Sequence, residues 1–353
     1  NMIEKSYFDK MPSGEEIFAY TLKNSSGASV KIITLGGRIN EINVPDKNGN
    51  VANVIQGHDN ISDVINSPEP YLSTLIGRFG NRIKNGRFIL GGKEYQLAIN
   101  NGPNALHGGP TGFHARVWDA TPMNDSTLVL KYTSSYGEEE FTGEVTITVV
   151  YNWTDDNELV IDYFATTNKK TIINLTHHAF FSLTGIANPT PTVDNLICQI
   201  NSDFYLPTDA TNIPTGEILK VEGTPFDFRS PKPIGQDIDK DNEQLRFGNG
   251  YDHCFVLKKH EVGELSFAAR ITEPVSGRIM ECWTTEPGMQ MYTDNWATGY
   301  SGQHGATFPK RSGICFEAQH FPDSPNRQHF PSVVLCPGET YKQVTVYKFG
   351  VEK

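Results

Sequence analysis

Apolar and polar positions alternate over short stretches along most of this chain. Val145, Ile147, Val149 and Tyr151 alternate with Thr146, Thr148 and Val150, which predicts a strand with one apolar and one mixed face. Val30 to Leu35, Leu128 to Thr133, Leu159 to Ala165 and Val344 to Phe349 are equally rich in β-branched and aromatic residues. Phe88-Ile89-Leu90 and Tyr95-Gln96-Leu97, separated around Gly91-Gly92, predict a hairpin with a tight glycine turn. Clusters such as Pro45-Asp46-Lys47-Asn48-Gly49 punctuate the strands. No helical period extends over twelve residues, and Ile61 to Asn66 has room for about one turn. Strand–helix alternation is missing, which argues against a doubly wound nucleotide-binding fold. No repeat or flexible linker interrupts the pattern. The expectation is an all-β chain, residues 1–353 forming a single domain built as a large antiparallel sandwich.

Composition narrows the partners. The chain has 353 residues, long enough to bury about three quarters of its surface without staples. It carries 30 basic and 41 acidic residues, a formal charge of -11, which argues against nucleic acid and anionic membranes as partners. No run of 18 apolar residues is present, so no membrane-spanning helix is expected. The 5 cysteines are widely spaced and lie mostly beside apolar residues, as in Ile314-Cys315-Phe316. They read as buried, reduced core residues. With a charged N-terminal segment, Asn1-Met2-Ile3-Glu4-Lys5, that lacks an apolar signal core, they point to the cytoplasm.

Phosphate loops, dinucleotide fingerprints, nucleophile elbows and paired metal-binding histidines at helical spacing are all missing from the sequence. Five polar clusters remain. Gly77-Arg78-Phe79-Gly80-Asn81-Arg82-Ile83 sets two arginines and an asparagine among glycines, where Arg82 has several donors for sugar hydroxyls or for a structural carboxylate. Asn104-Ala105-Leu106-His107-Gly108-Gly109 places a histidine where the backbone permits close approach of a ligand. In Asn174-Leu175-Thr176-His177-His178 the adjacent histidines of a strand point to opposite faces, one toward a pocket and one toward a packed or solvent face. Asp252, in Gly250-Tyr251-Asp252-His253, is either a turn residue or an acceptor for neighbouring hydroxyls. Glu317 follows an apolar strand segment, where desolvation would raise its pKa and suit it to general-base work. Each cluster alone has a structural explanation.

Taken together, the clusters resemble the aldose 1-epimerase (galactose mutarotase) family. The resemblance runs from Thr34-Leu35-Gly36-Gly37 to Pro337-Gly338-Glu339. It is carried by Gly-Arg-x-x-Asn-Arg-Ile at Gly77, Asn-x-Leu-His-Gly-Gly at Asn104, Asn-Leu-Thr-x-His at Asn174, Tyr-Asp-His at Tyr251, Pro-Gly-x-Gln-x-Tyr at Pro287 and Phe-Glu-x-Gln at Phe316. It implies a large β-supersandwich of the galactose mutarotase type, with a sugar cleft across one sheet. It also implies interconversion of α and β anomers of aldohexoses, with no organic cofactor and no metal. The catalytic acid of the family matches His178, the base Glu317 and a second histidine His107. The sugar-binding positions match Asn81, Arg82, Asp252 and Gln290. His177, Phe180, Ser182 and Glu286 depart from the commoner family residues. The implied partner is a small-molecule aldose. Rival readings are a glycoside hydrolase pairing Asp252 with Glu317, a phosphosugar 1-epimerase needing a basic cluster in the cleft, and a non-catalytic sugar-binding protein.

Overall fold

The computed structural model describes residues 3–187 and 192–353; Asn1 and Met2 of the charged N-terminal segment lie outside them. A nine-stranded antiparallel sheet forms the frame. Its strands run, in spatial order, Asp119–Asn124, Thr127–Ser134, Val145–Trp153, Glu158–Thr167, Tyr341–Val351, Arg278–Thr284, Ser266–Thr272, Ile197–Ile200 and Lys232–Pro233. The alternation read from Val145 to Tyr151 is realised: Val145, Ile147, Val149, Tyr151 and Trp153 are buried, and the intervening residues are half-buried or exposed. Ile147 pairs with Ala165 and Val149 with Tyr163, so the apolar faces of neighbouring strands coincide.

Two five-stranded sheets complete the layers. One runs Glu4–Lys10, Glu16–Lys23, Ser29–Ile33, Arg38–Pro45 and Val51–Asn53. The other runs Leu219–Lys220, Phe204–Tyr205, Asp252–Val256, Gly288–Tyr292 and Cys315–Gln319. The largest buried apolar cluster draws on all three sheets, from Tyr20 and Leu22 through Ile147 and Phe255 to Phe349. The glycine hairpin joins Arg87–Leu90 to Lys93–Gln96, with Gly91 and Gly92 both at positive φ. The short helix Ile61–Asn66 is present, capped by the Asn60 side chain accepting from the Asp63 amide at 2.8 Å. A second helix, Glu243–Gly248, is six residues long, too short to leave a period in the sequence. Cys198, Cys254, Cys282 and Cys315 are buried and free, and Cys336 is half-buried and free.

Candidate active site

Three neighbouring strands present polar side chains on one face, toward His107 and His178. In the pairing of Gly288–Tyr292 with Cys315–Gln319, Gln290 stands opposite Glu317, and in the pairing with Asp252–Val256 it stands opposite Cys254. Alternation along each strand therefore sets Asp252, Gln290, Glu317 and Gln319 on one face. Gln290 Nε2 donates to Asp252 Oδ1 at 2.9 Å, and Gln319 Nε2 donates to Gln290 Oε1 at 3.4 Å. Arg82 closes the ring, its Nη2 3.7 Å from Asp252 Oδ2 while its Nε donates to Asn101 Oδ1 at 2.9 Å.

The histidines arrive from short paired segments above the sheet. Thr176–His177 pairs with Leu75–Ile76, and the chain then carries His178 onward, its amide donating to the Thr74 carbonyl at 2.8 Å. His178 Nε2 lies 3.5 Å from Glu317 Oε1, and His107 Nε2 lies 3.8 Å from the same oxygen. Their rings are near-perpendicular, 5.1 Å apart. His177 points the other way, its Nε2 3.1 Å from the Tyr151 hydroxyl in the core. The opposite orientation of the two adjacent histidines is thus as the strand pattern required.

His107 has a fixed tautomer. The Asn81 amide donates to its Nδ1 at 2.9 Å, and the His107 amide returns a bond to the Asn81 carbonyl at 3.1 Å. A nitrogen that accepts an N–H carries no proton, so neutral His107 holds its proton on Nε2, facing Glu317. Asn81 therefore acts on His107 through its backbone, and its own Oδ1 is taken by the Arg82 amide at 2.9 Å. Gly108 is required by the next turn: it sits at φ +81, and a Cβ there would fall 1.9 Å from the Gly77 carbonyl oxygen.

Donor chemistry argues against a metal here. The ligand-type atoms of His107, His178 and Glu317 lie within 4.8 Å of one another. The Nε2 of His107 is protonated, however, and has no lone pair to offer.

Burial sets the protonation states. Glu317 is 2% exposed and its Oε1 has no hydrogen-bond partner. Burial, then the neighbouring Asp252 and Glu69 charges, push its carboxyl well above the usual range, against a smaller pull from Arg82. Burial holds His178 down at about 3, and holds His107 well below the ordinary imidazole value. Burial therefore favours the neutral forms of the facing pair, a carboxylic acid and a neutral imidazole.

The structure brings all seven candidate residues from the sequence into this one cluster. Four further residues belong to it. Tyr71 stands with its ring 4.8 Å from that of His107 and 6.2 Å from that of His178. Asn100 donates to the Tyr71 hydroxyl at 3.1 Å and clasps both the amide and the carbonyl of Leu106, which precedes His107. Gln319 and Glu69 complete the set. Gln319 was legible in the Phe-Glu-x-Gln motif; Glu69, Tyr71 and Asn100 sit in irregular segments without a pattern to mark them. Arg78, from the same glycine-rich motif as Arg82, is not in the cleft. It is buried against Ser134, Ser135, Thr142 and Gly143, to which it donates five hydrogen bonds. Arg87 is on the surface with Glu94 and Gln96.

Comparison with known proteins identifies the family. The family model described as aldose 1-epimerase matches residues 19–348. The chain is 39% identical to mouse galactose mutarotase over 350 residues, 99% of each protein. It is 34% identical to the aldose 1-epimerase of Escherichia coli over 349 residues, 97% of each. Among solved structures it is similar to an aldose epimerase homologue from C. elegans, with a TM-score of 0.87 at 27% identity, covering 99% of this chain and 100% of that one.

Proposed function

The chain belongs to the aldose 1-epimerase family and is an isomerase that interconverts the anomers of aldoses; we propose that Glu317 and His178 carry its two proton transfers, on aldohexoses such as galactose and glucose. The observation that carries this reading is the buried, unpartnered Glu317 Oε1 with an imidazole nitrogen 3.5 Å away. An anomeric hydroxyl entering this space would give that oxygen its missing partner.

Ring opening removes the proton from the anomeric oxygen and delivers one to the ring oxygen. The step starts from the ionised pair, reached when the Glu317 proton passes to His178 Nε2, 3.5 Å away; with Glu317 as base and His178 as acid it then ends with a protonated carboxyl, a neutral imidazole and an open-chain aldehyde. Rotation about C1–C2 and reclosure on the other carbonyl face return both protons. The neutral pair is the state that burial favours, so the site stabilises the ring-opened intermediate relative to the two closed anomers. The His107 Nε2–H is a fixed donor for the charge that shifts onto oxygen during the step. Asp252, Gln290 and Arg82 form a linked set that takes the remaining hydroxyls, so that movement is confined to C1.

Three observations bear on the rival readings. Glu317 faces two imidazoles as well as Asp252, an arrangement a two-carboxylate hydrolase does not need. Arg78 and Arg87 are committed elsewhere, which weakens a phosphosugar reading. The occupied acid and base positions weigh against a purely binding role. Free cysteines buried in the core support a reducing compartment, and with it the cytoplasm. The buried cluster shared by all three sheets supports reading the chain as one unit. No helix of the described residues is long and apolar enough to cross a membrane.

The reaction class is tested with freshly dissolved α-galactose in a polarimeter, beside methyl α-galactoside. The protein should hasten decay of the galactose rotation to its ordinary endpoint and leave the glycoside, which has no anomeric hydroxyl, unchanged. Hydrolysis of the glycoside would refute the assignment.

A further inference from the structure

A cavity of about 440 Å³ is lined by none of the seven cleft residues. Its polar end is a pair that the proton transfers do not use. His320 follows Gln319 at the end of the strand that carries Glu317, and its Nδ1 lies 2.8 Å from Oε1 of the buried Glu286. Burial opposes a charge on His320, but the adjoining Glu286 outweighs it and raises the imidazole above its ordinary value, so the two offset each other as an ion pair. Two lysines then leave an excess of positive charge. Lys259 Nζ donates to the Glu264 and Thr284 carbonyls and to the Ser266 hydroxyl, three neutral acceptors, and forms no ion pair among the described residues. Burial holds its ammonium down at about 8. Lys342 is exposed on the cavity wall and its side chain also forms no ion pair among the described residues. Glu264 turns its carboxylate onto its own loop, where Oε2 accepts from the His260 amide at 2.8 Å. The remaining polar groups are engaged within the fold: Gln343 Nε2 donates to the Leu175 carbonyl at 2.7 Å, and the Thr285 hydroxyl accepts from the Val344 amide at 3.0 Å. Val262, Pro287, Pro331 and Val344 make the other walls apolar.

We propose that this cavity is a second binding site, for a small organic monoanion with an apolar ring. The claim goes beyond the mutarotase reading and does not depend on it. Its size is that of a small-molecule site, with apolar walls and few polar groups. Charge complementarity selects the ligand. Two ammonium groups without a carboxylate partner face one carboxylate that His320 already offsets. A ligand carboxylate would give Lys259 its counter-charge through space and take hydrogen bonds from the mobile end of Lys342. The ring has a place as well. Val262 is fully exposed at the rim, and a ring seated between it and Pro287 would remove both from water. A neutral sugar fits poorly, because the neutral polar groups of the walls already have partners.

The test titrates naphthylacetate by ligand-observed NMR at pH 6.5, beside its neutral amide, in wild type, Lys342→Glu and Val262→Glu. Both substitutions are at exposed positions, so each variant should keep the wild-type urea midpoint. Wild type should bind naphthylacetate with a Kd of about 1 mM or tighter. The amide should bind wild type at least about fivefold more weakly, and each variant should bind naphthylacetate at least about fivefold more weakly than wild type does. Saturating galactose should leave the binding of naphthylacetate unchanged, because the sugar cleft and Arg82 take no part in it. No binding up to about 10 mM, equal affinity for acid and amide, unchanged affinity in either variant, or displacement by galactose overturns the proposal. Failure of wild type to act on galactose would instead overturn the function and leave these binding results standing.

Discussion

Replacing Glu317 by glutamine should make this protein more stable and almost inactive. The side chain keeps its size, and the base is lost. A positioned acid or base contributes about 10²–10⁴-fold, so kcat should fall by that amount. The stability change follows from the site. Glu317 is 2% exposed, its Oε1 is unpartnered, and Asp252 and Glu69 repel its charge. Its carboxyl is held well above the value of about 4.3 that it has in an unfolded chain. The folded protein therefore retains a proton that the unfolded chain releases. The contribution of this group is complete below about pH 4.3 and is lost as pH rises toward the folded pKa. The loss amounts to about 1.4 kcal/mol for each pH unit. Glutamine does not titrate, so the advantage of the variant should grow with pH, by up to about 1.4 kcal/mol between pH 5.5 and pH 6.5. Urea unfolding of both proteins at the two pH values measures it. A variant less stable than wild type, by a gap that does not change with pH, would refute the reasoning. That result would mean that Glu317 rests as a carboxylate held by an imidazolium.

Other expectations follow from the same geometry. His178→Asn should lower kcat by about 10²–10⁴-fold, because it removes the proton donor facing the cavity. His177→Asn, which alters only a contact with the core hydroxyl of Tyr151, should cost less than about tenfold; the reverse ranking in polarimetric assays would reject the assignment. The pH profile of kcat/KM should be a broad bell belonging to the coupled pair. Its acidic limb should approach the depressed His178 value of about 3 and its alkaline limb the raised Glu317 value, so a narrow bell centred between ordinary Glu and His values would contradict the burial argument. Burial holds His58, His177, His178 and His253 at about 3 in the folded protein. The unfolded chain binds protons on these residues below about pH 6.5, so their contribution is present above that pH and is lost as pH falls toward 3. Urea midpoints should therefore drop steeply between pH 6 and pH 4, and a flat profile would show that the four are not held neutral.

Much of this architecture is legible in the sequence because strand burial has a period of two. The apolar set Val145, Ile147, Val149 and Tyr151 needs no further information to define a face. The assignment of His178 over His177 follows from the same alternation, joined to the resemblance of the Asn-Leu-Thr-x-His motif. Glu69 and Tyr71 were hidden for a physical reason. They follow the helix Ile61–Asn66 in an irregular turn, where side-chain direction depends on tertiary contacts and not on a repeat. The direction of the Glu317 shift was legible, because desolvation beside an apolar strand raises a carboxyl; the further push from Asp252 and Glu69, over 50 and over 200 residues distant in sequence, was not. Arg78 shares a motif with Arg82, yet one residue packs inside and the other lines the cleft, a split that residue type alone does not encode.

The most direct test of the central claim is the polarimetric rate of α-galactose mutarotation by the Glu317→Gln/His178→Asn double variant, set beside the two single variants. An acid and a base that complete one proton exchange act as a unit, so losing either forfeits the contribution of both. The double variant should be as slow as each single variant, within a few-fold, with all three reaching the same final rotation. Single losses that multiply in the double variant, or near-wild-type turnover in either single variant, would contradict the pairing of Glu317 with His178 across the anomeric centre.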